Sequence, residues 1–149
     1  MKSWRWLQAL AVVLAIFTVG HTLGTISSIT TSPDEAVVIS TMQAHRFPVM
    51  GFHRSYWEFY RGFSVTITVL LAVLTVIAWQ VGTLARRNPA AALPIAVTVL
   101  VGCGANALVS AEYFFTAPMV TSAAAVICAA VAVALLMKEA KARGAVTSG

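Results

Sequence analysis

Apolar residues in this chain fall into four long uninterrupted runs. No Lys, Arg, Asp or Glu occurs between Trp6 and Ile26, Gly62 and Val81, Ala91 and Ala111, or Pro118 and Leu136. A helix needs about 20 mostly apolar residues to cross ~30 Å of hydrocarbon, and each run has that length. The pattern predicts an all-α protein: a four-transmembrane-helix bundle with spans over about 6–26, 62–81, 91–111 and 118–136. A short helix is expected in the first, outer loop (27–61), and residues 1–149 read as a single integral membrane domain.

That loop opens on Ser32-Pro33-Asp34-Glu35. Ser suits a helix N-cap, Pro suits the first helical position, and an acid three residues after the cap can return the bond. The helix should run from Asp34 to about His45, because Pro48 disfavours helix at Phe47. Tyr56 to Gly62 then reads as an amphipathic lead-in to the second span. The tail after Lys138 is short and polar, and fraying is expected.

Composition agrees with a lipid environment. Hydrophobic residues make up 59% of the chain and charged residues 10%, with a mean hydropathy of +0.84. A soluble domain carries about 25% charged residues, so a soluble enzyme is excluded. The net charge of +5 is spread over ends and loops with no basic stripe, so nucleic acid is not an expected partner. Lys2 and Arg5 before an apolar run resemble a signal peptide. The Gly20-His21-Thr22-Leu23-Gly24 shoulder offers no clear small-x-small cleavage site, so this run is expected to stay as the first helix.

Basic residues also orient the chain. Lys2 and Arg5, then Arg86 and Arg87, then Lys138, Lys141 and Arg143 alternate with a short third loop holding only Glu112. The positive-inside bias places both termini in the cytoplasm, consistent with a bacterial cytoplasmic (inner) membrane. Trp4, Trp6 and Trp79 would form the inner aromatic belt; Tyr56, Trp57, Tyr60 and Tyr113 would form the outer one.

Close helix approach in lipid depends on small residues. Gly20-x-x-x-Gly24, Gly102 and Gly104, and the pairs Ala125/Ala129 and Ala130/Ala134 are candidates, and spans three and four should pack tightly. Cys103 and Cys128 lie mid-span and read as small buried side chains, since a thiolate is disfavoured there.

Polar groups at membrane depth carry more information, because each needs a partner. His21 and Asn106 both lie some 8 Å below the outer interface at ~1.5 Å rise per residue, and are expected to face one another or a shared water. Arg54, Glu58 and Arg61, at spacings of four and three, can stack on one helical face. With Glu112, His45 and His53 they complete a candidate binding pocket of His21, Arg54, Glu58, Arg61, Asn106, Glu112, His45 and His53. Tyr56, Trp57, Tyr60, Tyr113, Phe114 and Phe115 would wall it. An interfacial collar has the same composition, so both readings stand at this point.

The histidines and acids show no metal-ligand spacing, and only His21 could serve a haem at membrane depth. Neither a metal nor a cofactor is expected. The inner half of the bundle has no ionisable group apart from its cytoplasmic collar, which leaves no complete path for an ion.

The run Phe52-His53-Arg54-Ser55-Tyr56-Trp57-Glu58-Phe59-Tyr60-Arg61-Gly62-Phe63 resembles a segment of small uncharacterised bacterial four-helix membrane proteins. In these an Arg-Ser-Tyr-Trp-acidic-Phe-Tyr stretch ending in Gly-Phe precedes the second span. Gly20 to Gly24 is similar as well. The resemblance implies a four-helix bundle, supplies no activity, and draws attention to His21, Arg54, Glu58 and Gly62.

The functional expectation is a non-enzymatic multi-pass protein that binds a lipophilic small molecule or serves as an accessory subunit. Its partners would be membrane lipid, that small molecule, and a membrane protein or a second copy. The alternative is a membrane enzyme of isomerase or oxidoreductase type acting on a lipid-like substrate, with His21 and Glu58 as acid/base pair.

Overall fold

The computed structural model describes residues 2–26 and 32–147, so positions 27–31 of the first loop lie outside the described residues. Five helices account for most of the chain: α1 (Ser3–Ile26), α2 (Pro33–Ala44), α3 (Tyr56–Arg87), α4 (Pro89–Tyr113) and α5 (Thr116–Thr147). All but α2 are long and apolar enough to cross a membrane. The fold is all-α, and its four long helices occupy the predicted runs.

Two compact units divide the chain, Met1–Phe17 with Leu71–Gly149, and Thr18–Leu70. The first is a four-helix bundle. Leu7, Leu10, Ala11 and Leu14 of α1 meet Ala78, Val81 and Ala85 of α3, Ala92, Ala96, Val99 and Cys103 of α4, and Ala125, Cys128, Ala129, Ala132, Val133 and Leu136 of α5. Alanine dominates this core, so the backbones approach closely. α4 and α5 share the most extensive contact, as the small residues on both helices predict, and the two cysteines are buried among them.

The glycines behave differently from expectation. A Cβ built on Gly20, Gly24, Gly102 or Gly104 would meet nothing within 4 Å, so none of them brings helices of this chain together. Ala130 and Ala134 are exposed while Ala125 and Ala129 are buried. The tight glycine is Gly82 of α3. A Cβ there would lie 3.3 Å from Leu7 Cβ, 3.4 Å from Gln8 Cγ and 3.4 Å from the Trp4 carbonyl oxygen.

Polar side chains secure the ends of this unit. Ser3 donates from its backbone N–H to one oxygen of Glu139 (3.0 Å) and from its hydroxyl to the other (2.6 Å). A carboxylate thus caps the free donors at the start of α1, where the helix dipole favours negative charge. Trp4 lies under the guanidinium groups of Arg5 (5.4 Å) and Arg86 (4.8 Å). Arg143 donates to the carbonyl of Arg87, an end group of α3. These contacts explain a correction to the expected tail: α5 stays helical to Thr147, well past the apolar run. α3 turns into α4 through Asn88 alone, whose side chain accepts from Ala91 N–H while Pro89 occupies the first helical position.

The second unit holds the later turns of α1, α2, the first half of α3 and a feature absent from the sequence reading. Strands β1 (Arg46–Val49) and β2 (Phe52–Ser55) form an antiparallel hairpin pairing Arg46 with Ser55 and Val49 with Phe52. Its two-residue turn has φ of 48° at Met50 and 87° at Gly51. Positive φ at both central positions is the turn whose twist suits a hairpin, and Gly51 supplies it without strain.

Gly82 generates a stability prediction. Gly82→Leu should destabilise the detergent-solubilised protein by about 1–3 kcal/mol through overpacking against α1. Gly102→Leu, in open space, should stay within ~0.5 kcal/mol of the parent. Chemical unfolding followed by circular dichroism reads both.

Candidate functional site

The hairpin delivers Arg46 and Arg54 to the first turn of α3. Ser55, buried at the end of β2, and Glu58 exchange bonds: Ser55 N–H donates to Glu58 Oε2 (2.7 Å), and Glu58 N–H donates to Ser55 Oγ (3.2 Å). This reciprocal cap starts α3. It explains why the helix begins at Tyr56, six residues before the apolar run. Phe47 of β1 packs on Tyr56 (4.7 Å between ring centroids) and Phe59 (5.5 Å), holding the hairpin to the helix.

The other oxygen of Glu58 faces two cations. Arg46 approaches Oε1 at 3.5 Å and Arg54 at 3.7 Å. Because Arg54 sits on β2, the expected helical stack of Arg54, Glu58 and Arg61 does not form; Arg54 reaches Glu58 from the strand, and Arg61 is exposed on α3. At 32 residues α3 is about 48 Å long, well over the ~30 Å of hydrocarbon, and Glu58 precedes the apolar stretch that begins at Gly62. The Ser55 backbone N–H, reinforced by the Arg46 and Arg54 charges and opposed by partial desolvation, holds its carboxyl below the usual carboxylate range.

Beside this pair runs an open groove of about 400 Å³, lined by Arg54, Glu58, Phe59, Gly62, Phe63 and Thr66. It follows one face of α3, charged at one end and apolar along the rest. Phe59 and Phe63 form its wall, with ring centroids 6.1 Å apart. Gly62 adds no side chain to the lining, and an added Cβ there would meet nothing within 4 Å beyond its chain neighbours. The Thr66 hydroxyl is turned onto the Gly62 carbonyl (2.9 Å), so it adds no free polar group. The aromatic residues singled out from sequence (Tyr56, Trp57, Tyr60, Tyr113, Phe114 and Phe115) do not line this groove.

His45 caps the C-terminus of α2 through its backbone N–H, with its ring 6.2 Å from that of Tyr56. His53 is exposed on β2 opposite Pro48. His21 finds its partner on α3, where its Nδ1 and the Thr68 hydroxyl lie 3.0 Å apart. Thr22 and Thr25 bond carbonyls of their own helix, as expected of threonine in a span.

Asn106 and Glu112 belong to the bundle unit. Asn106 Nδ2 donates to Ser122 Oγ (2.9 Å), which lies 3.0 Å from Ser110 Oγ. Three polar side chains thus tie α4 to α5, and two of them, Ser110 and Ser122, are buried. Sequence reasoning passed over both serines, although their small polar side chains inside apolar runs were a visible signal. Glu112 is exposed near the end of α4. Among the described residues no group of three His, Cys, Asp or Glu side chains could hold a metal ion.

Ser122→Ala removes two hydrogen bonds at once and should destabilise the protein by about 0.5–1.5 kcal/mol, read by unfolding in detergent. Glu58 predicts a pH dependence. Its lowered folded-state pKa contributes stability that is present above the ordinary carboxylate value of 4.5 and fades as pH falls through the lower folded value. Glu58→Gln should lack that component in a pH series of unfolding curves. Compared with known proteins, the chain matches no protein-family model, no curated protein and no solved structure.

Proposed function

We propose that this is a multi-pass protein of the bacterial cytoplasmic membrane, with both termini in the cytoplasm, that binds a lipophilic small molecule beside Arg54 and Glu58. Four helices of sufficient length and apolarity support the multi-pass reading. Lys2 and Arg5, Arg86 and Arg87, and Lys138, Lys141 and Arg143 support the orientation. The groove carries the binding reading. Its volume falls within the range of small-molecule sites, and an apolar lining with a few polar groups at one end suits a lipophilic ligand.

Binding is better supported than catalysis. Glu58 is occupied by the Ser55 N–H and two guanidinium groups. Thr68, the partner of His21, lies ten residues further along α3, about 15 Å of helix axis at ~1.5 Å per residue. That separation is too long for His21 and Glu58 to share a proton. A second reading, an accessory subunit of a larger membrane complex, draws on Gly20 and Gly24 of α1, where an added Cβ would meet nothing within 4 Å.

Gly62→Leu tests the binding reading, because it adds a side chain to the groove's lining at a position where a Cβ meets no other element. Lipophilic molecules that co-purify with the parent in detergent, counted by mass spectrometry of the extract, should fall several-fold in the variant. Gly102→Leu should retain them. Equal recovery from parent and Gly62→Leu would overturn the groove as the site. A protein recovered in constant ratio instead would favour the subunit reading.

A further inference from the structure

We infer that the groove takes an anionic amphiphile, with a phosphate or carboxylate head on Arg54 at its polar end, next to the Arg46 that shares Glu58, and an alkyl chain along Phe59, Gly62 and Phe63. This rests on the binding reading above and names the ligand class of that site.

Charge at the groove's polar end carries the argument. Two guanidinium groups share one carboxylate oxygen at 3.5 and 3.7 Å, whereas a strong charge-assisted bond is about 2.7–2.9 Å. The second oxygen of Glu58 is taken by the Ser55 N–H. Arg46, Arg54 and Glu58 together leave one positive charge, and neither arginine reaches Glu58 at the distance of a strong charge-assisted bond. Each guanidinium has five N–H donors in a planar fork suited to a phosphate or carboxylate, and both side chains are at least half exposed. Arg54 also rests over the Phe52 ring at 5.6 Å, which limits its rotation on the strand.

The remainder of the groove rejects polar matter. With the Thr66 hydroxyl bonded to its own helix, Phe59, Gly62 and Phe63 present only carbon to a guest. Cationic donors at one end and hydrocarbon along the next two turns of helix match a charged head followed by an acyl or alkyl chain. A neutral lipophile would use the chain half alone and leave the net positive charge of the Arg46, Arg54 and Glu58 cluster unbalanced. The anion can belong to a membrane phospholipid or to a free single-chain amphiphile, since both present the same head and tail.

Native mass spectrometry of the full chain in dodecyl maltoside, titrated separately with four probes, tests the inference. The probes are phosphatidylglycerol, phosphatidylcholine, hexadecyl phosphate and hexadecanol. At least one anionic probe should bind about tenfold more tightly than its neutral or zwitterionic counterpart, a difference of the order expected for a charge-assisted pair. The Arg46→Gln/Arg54→Gln variant should lose most of that preference, its affinities for hexadecyl phosphate and hexadecanol becoming nearly equal. Arg54→Lys should keep part of it. Preference for phosphatidylglycerol assigns the site to membrane lipid, and preference for hexadecyl phosphate assigns it to a free amphiphile; either upholds the inference. Equal binding of hexadecyl phosphate and hexadecanol, abolished for both by Gly62→Leu, would overturn the anionic head while leaving groove binding intact. Binding of all four probes unchanged in Gly62→Leu would overturn both.

Discussion

Hydrocarbon cannot hydrate an ion or an unpaired peptide group, and the organisation of this chain follows from that exclusion. Its fifteen charged residues all lie outside the four apolar runs. Each long helix satisfies its own backbone along its length, so the specific polar chemistry gathers at helix ends. Ser3 with Glu139, Arg143 with the Arg87 carbonyl, Asn88 before α4, and Ser55 with Glu58 are four instances. In each, a group outside the apolar run answers donors or acceptors that a helix terminus leaves open.

The same exclusion separates packing from recognition. The bundle core is built from alanine and leucine, and its close approach at Gly82 serves contact between α1 and α3. The groove, by contrast, lies along α3, lined by Gly62 together with Phe59 and Phe63. One glycine is filled by a neighbouring helix, whereas an added Cβ at the other would meet open space. In the proposed binding reading, Gly62 and Arg54 serve the ligand and Gly82 serves stability.

Much of this was legible in the residues. Uninterrupted apolar runs predict the four long helices directly, and Ser32-Pro33-Asp34-Glu35 marks the start of α2, where the Ser32 hydroxyl accepts from Glu35 N–H at 3.2 Å. The capping pair Ser55-x-x-Glu58 carries the same signature and was readable, but the i, i+4 spacing of Arg54 and Glu58 suggested a helix that had already begun. The hairpin was not readable, since Met50-Gly51 is a poor turn signal and Pro48 within a strand argues against one. Nor could local pattern pair Ser3 with Glu139 across 136 residues, or distinguish Gly82 from Gly102. Those depend on which helix faces which, and periodicity along one helix contains no information about its neighbour. Asn106 and His21 announced a need for partners; the identities of Ser122 and Thr68 required the fold.

The proposed topology has four membrane crossings, with the α2–hairpin segment outside and both ends within the cytoplasm. Single cysteines at Gln43 in α2 and Lys141 in α5, in a background with Cys103 and Cys128 changed to Ala, measure it through labelling by a membrane-impermeant maleimide. The account predicts that Gln43→Cys is labelled in intact cells whose outer barrier admits the reagent, and Lys141→Cys only after the cytoplasmic membrane is permeabilised. Labelling of Lys141→Cys in intact cells, or protection of Gln43→Cys until lysis, would contradict it.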